Sequence, residues 1–258
     1  MLWEILVQFV FRLTLGLAIT MSLTSPKEVN SGFFRVHLWV LLGLATFGSL
    51  VTWSRQELFA QPAIVTGLAI TVALLSYVGS VVWLYERVKP GMAILILISI
   101  LTTILLLFAH PSKQADGPVA LTWLLVDILS GSMLLGSTFA AMLLGHWYLN
   151  SPSMRLEPLK WLLIVMTISL LIRVLLSGAG FGIHFTRNEL TGGFTWAATA
   201  MRWLAGVLGL GAMTWMTWET LKIPNTQSAT GILYVALVFV FLGELASAVL
   251  AFETPIPL

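Results

Sequence analysis

The sequence contains no cysteine. This absence excludes disulfide bonds, thiolate catalysis, and zinc or iron–sulfur sites built on cysteine ligands. The net charge of +2 is small, and the basic residues are dispersed along the chain rather than collected in one run. A nucleic-acid partner is therefore not expected.

Charged residues are also scarce. They make up 9% of the 258 positions, against about a quarter in soluble domains, while apolar residues make up 58%. A soluble fold of this size needs a charged and hydrated surface, which the 13 basic and 11 acidic residues cannot cover. The composition predicts a single integral membrane domain over residues 1–258, in contact mainly with lipid.

Hydropathy divides the chain into eight apolar segments. A span needs roughly 20 apolar residues, since each residue of a helix rises about 1.5 Å. Short polar breaks, most of them containing proline or asparagine, separate the segments, so consecutive spans are predicted to be antiparallel neighbours. The fold class is an all-α polytopic transmembrane helical bundle of about eight spans, near 2–23, 33–53, 63–85, 91–109, 119–149, 158–177, 194–221 and 229–252.

The basic residues at the ends of the spans predict an orientation. Seven cations follow the odd-numbered spans and three follow the even-numbered ones, and basic loops usually face the cytoplasm. Both termini are therefore predicted on the outer side of the cell's inner (cytoplasmic) membrane. The seven are Lys27, Arg35, Arg87, Lys89, Arg155, Lys160 and Lys222, and the three are Arg55, Lys113 and Arg187.

The fifth span carries small residues at every fourth position. Such ridges let helix backbones approach closely within lipid. They predict a central helix of the bundle, and a groove for a lipid or cofactor is the alternative. The two ridges are Ser132, Gly136 and Ala140, and Ser137, Ala141 and Gly145.

Four ionisable residues fall within apolar segments: Arg12, Asp127, Arg202 and Glu244. A charge near the bilayer centre costs roughly 2.5–3.5 kcal/mol on insertion scales, so such residues usually have a partner or a polar cavity. Counting residues from the span ends places all four some 12–15 Å below the outer boundary. They are predicted to form one polar cluster, with Arg173 slightly nearer the surface.

Two interpretations of this cluster remain open. It is a pair of structural salt bridges that orient helices, or a proton-conducting or ligand-binding site open to the outer face. In the second interpretation Asp127 and Glu244 accept protons, and Arg12 and Arg202 stabilise their charge or contact a ligand oxygen. Arg173 and His184 would then line the entrance, under an outer loop formed by the glycine-rich residues 178–182.

The histidines offer one further site. His37 and His146 lie near the predicted cytoplasmic ends of spans 2 and 5. Two neutral imidazoles on facing helices could bind a b-type haem as axial ligands. An interfacial or internally hydrogen-bonded histidine is the alternative.

Two short sequences carry a resemblance. Gly243-Glu244-Leu245 in the last span, with Ser54-Arg55-Gln56-Glu57 after the second, resembles the quinol-interacting membrane anchors of molybdenum oxidoreductases, of the dimethyl sulfoxide reductase and polysulfide reductase type. The family tends to carry an arginine shortly after the glutamate, where this chain has residues 246–248 as Ala-Ser-Ala. The resemblance implies eight spans and transfer of electrons from a quinol near the outer face to an iron–sulfur partner.

These observations predict a multi-pass membrane subunit of a respiratory or other redox complex, which binds quinone or quinol or couples proton movement. Its partners would be membrane lipids and other subunits of that complex. As an enzyme it would be at most a non-catalytic or quinone-reactive subunit. The alternatives are a transporter or channel for a small solute or protons, and a structural or assembly subunit.

Overall fold

The computed structural model describes residues 1–110, 118–151, 154–186, 192–223 and 225–251, and these residues contain helices and connections but no β-strand. A 3₁₀ turn at Gln56–Leu58 follows α2, and a π-helical segment at Arg202–Gly209 joins α7 to α8. The helices are α1 (Leu2–Leu23), α2 (Ser31–Ser54), α3 (Pro62–Leu84), α4 (Val88–Phe108), α5 (Pro118–Asn150), α6 (Glu157–Thr186), α7 (Gly193–Met201), α8 (Leu210–Lys222) and α9 (Thr226–Leu250).

Seven helices of the described chain, α1 to α6 and α9, are long and apolar enough to cross a membrane. The all-α prediction is confirmed, and the bundle is compatible with an integral membrane protein. The seventh predicted segment, 194–221, is helical from residue 193 to 222, but the π segment divides it into three short elements. A count of eight spans therefore stays a prediction.

The sixth predicted segment was too short. Helix α6 does not end near residue 177 but continues to Thr186, so residues 178–182 are helical and do not form the predicted loop over the cluster. The rings of Phe181 and Phe185, one turn apart, stack with centroids 5.9 Å from each other. Such aromatic packing offsets part of the cost of about 1 kcal/mol that each helical glycine adds. All other predicted ends differ from the observed ones by at most three residues.

Helices α1 and α5 form the centre of the bundle. In the most apolar 18-residue stretches of α1 and α5, 72% and 78% of the residues are buried, against 33–44% in the other five long helices. Helix α1 packs against α2, α4, α5 and α9, and α5 packs against α1, α6 and α9. The predicted central position of the fifth span is confirmed.

Small residues allow the central helices to approach each other. A Cβ atom on Gly16 of α1 would lie 2.9 Å from the Cα atom of Gly136 and would overlap the backbone of Ser132. On the second ridge, a Cβ atom on Gly145 would lie 2.7 Å from Oγ1 of Thr230 in α9. The two ridges of α5 therefore let α1 and α9 pack closely against it. This is the packing role that the sequence predicted for them.

Candidate functional site

Five ionisable side chains form one chain of ion pairs across the bundle. Arg12 Nη2 lies 2.6 Å from Asp127 Oδ2, and the other oxygen of Asp127 accepts a hydrogen bond from Arg173. Arg173 Nη2 lies 2.8 Å from Glu244 Oε2, and Arg202 Nη1 lies 2.7 Å from Glu244 Oε1. We call these five residues the ion network. It contains all four residues that the sequence predicted to form one cluster.

Each member of the ion network comes from a different element. Arg12 lies in α1, Asp127 in α5, Arg173 in α6, Glu244 in α9 and Arg202 at the start of the π segment. Counted along the helices at about 1.5 Å per residue, four of them lie roughly 9–15 Å from the helix ends at which α1 begins and α9 ends. Arg173 lies about 20 Å from the corresponding end of α6. The network therefore ties five helical segments together within one half of the bundle.

Arg173 occupies the middle of the ion network. Its Nε donates to Glu244 Oε1 at 3.1 Å, and its Nη2 donates to Glu244 Oε2 at 2.8 Å and to Ser247 Oγ at 3.1 Å. Its Nη1 donates to Asp127. The side chain is fully buried. The prediction that Arg173 lies nearer the surface and lines an entrance is wrong, because α6 extends nine residues beyond the predicted end.

Burial decreases toward one end of the ion network. The side chains of Arg173, Arg202 and Glu244 are 0%, 1% and 3% exposed, whereas those of Arg12 and Asp127 are 12% and 10% exposed. The Arg12–Asp127 pair is thus the least buried part of the ion network.

Arg202 is held at the other end. Its Nη1 donates to Glu244 and its Nη2 donates to Ser177 Oγ at 3.2 Å. A Cβ atom on Gly206 would lie 2.8 Å from the Cα atom of Gly243 and 3.1 Å from Arg202 Nη1. The glycine pair thus lets the π segment and α9 approach closely beside the ion pair. Such π segments are frequent at functional sites.

Gly131 of α5 provides space for the ion network. A Cβ atom at this position would lie 2.8 Å from Glu244 Oε2, 3.1 Å from Arg12 Nη1 and 3.5 Å from Arg173 Nη2. Any larger side chain must displace a charged group. Sequence reasoning missed Gly131, and also missed Ser177 and Ser247, because uncharged small residues are common in membrane helices.

Two buried polar atoms on α1 have no hydrogen-bond partner among the described residues. They are Nε of Arg12 and Oε1 of Gln8, one helical turn earlier. The amide nitrogen of Gln8 donates to the carbonyl oxygen of Ala109 at 2.9 Å, which fixes the side chain at the end of α4. Residues four apart on a helix lie on the same face. One donor and one acceptor are therefore left unused beside the least buried end of the ion network. Buried polar groups normally have hydrogen-bond partners.

The charges of the ion network do not cancel. It contains three guanidinium groups and two carboxylates. A surplus positive charge in a membrane is costly unless a ligand or a polar cavity compensates it. This balance favours a ligand whose atoms near Arg12 carry negative or partial negative charge.

His184 lies apart from the ion network. It is buried in α6, eleven residues after Arg173, which corresponds to about 16 Å along the helix axis. It belongs to the last turn of α6, whereas the sequence had predicted that it lines an entrance to the cluster.

The structure does not bring His37 and His146 together as a facing pair. His37 is buried beside Phe33, and its Nδ1 lies 2.5 Å from the carbonyl oxygen of that residue. His146 is exposed, with Nδ1 3.4 Å from the hydroxyl of Tyr234 in α9, while its neighbour Trp147 turns toward His37. Because two axial haem ligands must point at one iron from opposite sides, this arrangement does not fit a haem.

The described residues contain no group of three histidine, aspartate or glutamate side chains placed to hold a metal ion. The arrangement can offer guanidinium donors, carboxylates and an amide oxygen to a ligand, and it can fix helices relative to each other. The chain matches no protein-family model, no curated protein and no solved structure.

Proposed function

We propose that this protein is a membrane subunit of a redox complex that binds the head group of a quinone or quinol at the Arg12 end of the ion network. In this proposal the chain crosses the inner membrane eight times. Helices α7 and α8 are each too short to span it, but together with the π segment they form one helical run, 193–222, that does. That run has 30 residues, about 45 Å of helix, which is enough to cross the hydrocarbon layer.

The cation distribution supports an orientation with both termini outside. The end of the bundle where α1 meets α2 and α8 meets α9 carries the seven cations of the odd-numbered connections. Of the three cations assigned to the opposite end, Lys113 and Arg187 lie outside the described residues. The ion network then lies below the outer face, with Arg12–Asp127 as its least buried pair.

The observation that carries the proposal is the unused hydrogen-bonding capacity beside Arg12. In the quinone form, a carbonyl oxygen accepts a hydrogen bond from Nε of Arg12. In the quinol form, a hydroxyl group accepts from the same Nε and also donates to Oε1 of Gln8. Both atoms are buried and without partners among the described residues, and they lie next to a surplus guanidinium charge. The oxygen atoms at the edge of a quinone ring carry partial negative charge, which is what they offer to the surplus guanidinium group and to the unused donor.

The proposed proton step follows from the ion pairs. Each carboxylate of the ion network contacts two guanidinium groups, so it accepts a proton only after one ion pair opens. Arg12–Asp127 is the pair that can open, because it is the least buried. We therefore assign ligand contact to Arg12 and proton acceptance to Asp127, and we assign positioning of these two residues to Arg173, Glu244 and Arg202.

The redox partner in this proposal is another protein. The connections between the described helices are short, so the chain carries little mass outside the membrane. Electrons must then enter or leave through a neighbouring subunit, as the resemblance to the quinol-interacting anchors implies.

Quinone retention tests the proposal. The full chain is purified from membranes and its bound quinone is extracted and quantified, for the unsubstituted protein, for Arg12→Gln and for Arg35→Gln. Arg35 is an exposed arginine of α2 outside the ion network. We expect Arg12→Gln to lose about tenfold of the retained quinone, as one lost charged hydrogen bond implies. Equal retention by Arg12→Gln and the unsubstituted protein contradicts the proposal.

A transporter or channel is the second candidate, and the π segment at Arg202 favours it. Transporter sites are often built at interrupted membrane helices, whose backbone groups at the interruption contact the substrate or ion. Proton or solute flux into sealed proteoliposomes distinguishes the candidates, since a quinone-binding subunit without its redox partner carries no flux. A purely structural subunit retains no quinone and carries no flux, while it still depends on the ion network for stability.

A further inference from the structure

A small cavity lies between α6 and α8, at the opposite end of the bundle from the ion network. It has a volume of about 220 Å³ and is lined by Lys160, Trp218, Leu221 and Lys222. Lys160 lies in the first turn of α6, and Lys222 is the last residue of α8. In the proposed eight-span arrangement, both lysines lie at the level where a membrane-spanning helix reaches the lipid head groups.

The lining of this cavity is amphiphilic. Leu221 is 2% exposed and forms an apolar floor, and the indole of Trp218 is partly exposed beside it. The two lysines place ammonium groups at the rim. Tryptophan is typical of the boundary between hydrocarbon and head groups, where its ring contacts acyl chains. A ligand that fits must have a hydrophobic part and a polar part that accepts hydrogen bonds from ammonium groups.

The charge at the rim corresponds to a single anion. Lys222 Nζ lies 2.5 Å from Glu219 Oε1, one turn earlier on the same helix. Within the described residues Lys160 forms no side-chain ion pair. Two ammonium groups and one carboxylate leave one positive charge, which equals the charge that a single phosphodiester neutralises. An ammonium group has three donors, so Lys222 can bind a phosphate oxygen while it keeps its contact with Glu219.

We propose that this cavity is a binding site for an anionic phospholipid with one phosphodiester. The phosphate lies between Lys160 and Lys222, and the first part of an acyl chain lies against Trp218 and Leu221. Basic pockets between membrane helices are a known way of binding anionic head groups. The proposal does not depend on the ion network or on quinone, since the two sites lie at opposite ends of the bundle.

Lipid retention in native mass spectrometry tests the site. The full chain is reconstituted in nanodiscs containing equal amounts of phosphatidylglycerol and phosphatidylcholine, and is then released and analysed. We compare the unsubstituted protein with the double variant Lys160→Gln/Lys222→Gln and with the matched control Lys27→Gln/Lys89→Gln. The control lysines are exposed at the same end of the bundle and do not line the cavity.

We expect the unsubstituted protein and the control to retain phosphatidylglycerol in preference to phosphatidylcholine. The Lys160/Lys222 variant should retain about 30-fold less, which is the loss expected from two basic side chains near a head group. Trp218→Ala should also weaken retention. The result that overturns the proposal is equal loss in both double variants, or retention of phosphatidylcholine to the same extent. Displacement of the lipid by inorganic phosphate alone also overturns it, because the site would then bind free phosphate.

Discussion

Arg173 and Glu244 form a two-point ion pair that joins α6 to α9 inside the bundle. Two nitrogens of the guanidinium group donate to the two carboxylate oxygens, at 3.1 and 2.8 Å. This parallel geometry is the strongest form of arginine–carboxylate pairing. Because Arg173 also donates to Asp127, the pair connects the least buried end of the ion network with its fully buried end.

The first prediction concerns the stability of the bundle. Arg173→Gln removes the charged hydrogen bonds to Glu244 and Asp127 but leaves each carboxylate with one guanidinium partner. Losing a hydrogen bond to a charged group costs about 1.5–3 kcal/mol. We expect this loss in unfolding measurements in detergent micelles. Arg87→Gln, an exposed arginine between α3 and α4, serves as the control and should unfold like the unsubstituted protein. An unchanged unfolding transition in Arg173→Gln would show that the ion network does not hold the helices together.

A second prediction concerns the space above Gly131. An added methyl group would lie 2.8 Å from a Glu244 oxygen, so Gly131→Ala must displace a charged group. We expect a loss of about 1–3 kcal/mol in unfolding free energy, as for other over-packed positions. Gly43→Ala in α2 is a matched control, because no atom lies within 4 Å of its added Cβ. It should be neutral or stabilising by up to about 1 kcal/mol. The reverse order of the two variants would contradict the described packing.

A third prediction concerns the pair that we propose to open. In a double-mutant cycle of Arg12→Gln and Asp127→Asn, the two losses should not add, and the coupling energy should be about 1–3 kcal/mol. The same cycle for Arg12→Gln and Glu219→Gln should give additive losses, since Glu219 pairs with Lys222 at the other end of the bundle. Additivity in the first cycle would mean that Arg12 and Asp127 are not paired in the membrane.

A fourth prediction concerns orientation, and the absence of cysteine makes it directly testable. Single cysteines are introduced by Arg55→Cys, after α2, and by Lys27→Cys, between α1 and α2. A membrane-impermeant maleimide added to intact cells should label the first variant and not the second. Opposite labelling would place the ion network below the cytoplasmic face and would move the proposed quinone site to that side.

The sequence could predict the ion network because charge within an apolar segment is a strong signal. Arg12, Asp127, Arg202 and Glu244 stand alone among apolar residues, and the cost of an unpaired charge in lipid requires partners. Their depths followed from counting residues along each helix. The same count misplaced Arg173, because it assumed that the glycine-rich residues 178–182 end the helix, whereas α6 continues through them to Thr186.

Other parts of the site depend on tertiary packing. Gly131 is important because three charged side chains from other helices converge above it, and nothing local in the sequence indicates this. The π segment that begins at Arg202 has no recognisable sequence pattern, and its close contact through Gly206 with Gly243 of α9 is a tertiary feature. The predicted pairing of His37 with His146 was also beyond the sequence. Hydropathy gives the depth of a side chain but not the side of the helix on which it lies.

The central claim is that a ligand oxygen completes the hydrogen bonding of Arg12 Nε and Gln8 Oε1. A cryo-electron microscopy map of the protein in nanodiscs, prepared directly from the membranes that produce it, tests this claim most directly. We expect density for a ring-shaped head group within hydrogen-bond distance of both atoms, and loss of that density in Arg12→Gln. A map in which side chains of this chain itself fill that space, with both atoms satisfied by the protein, would contradict the account.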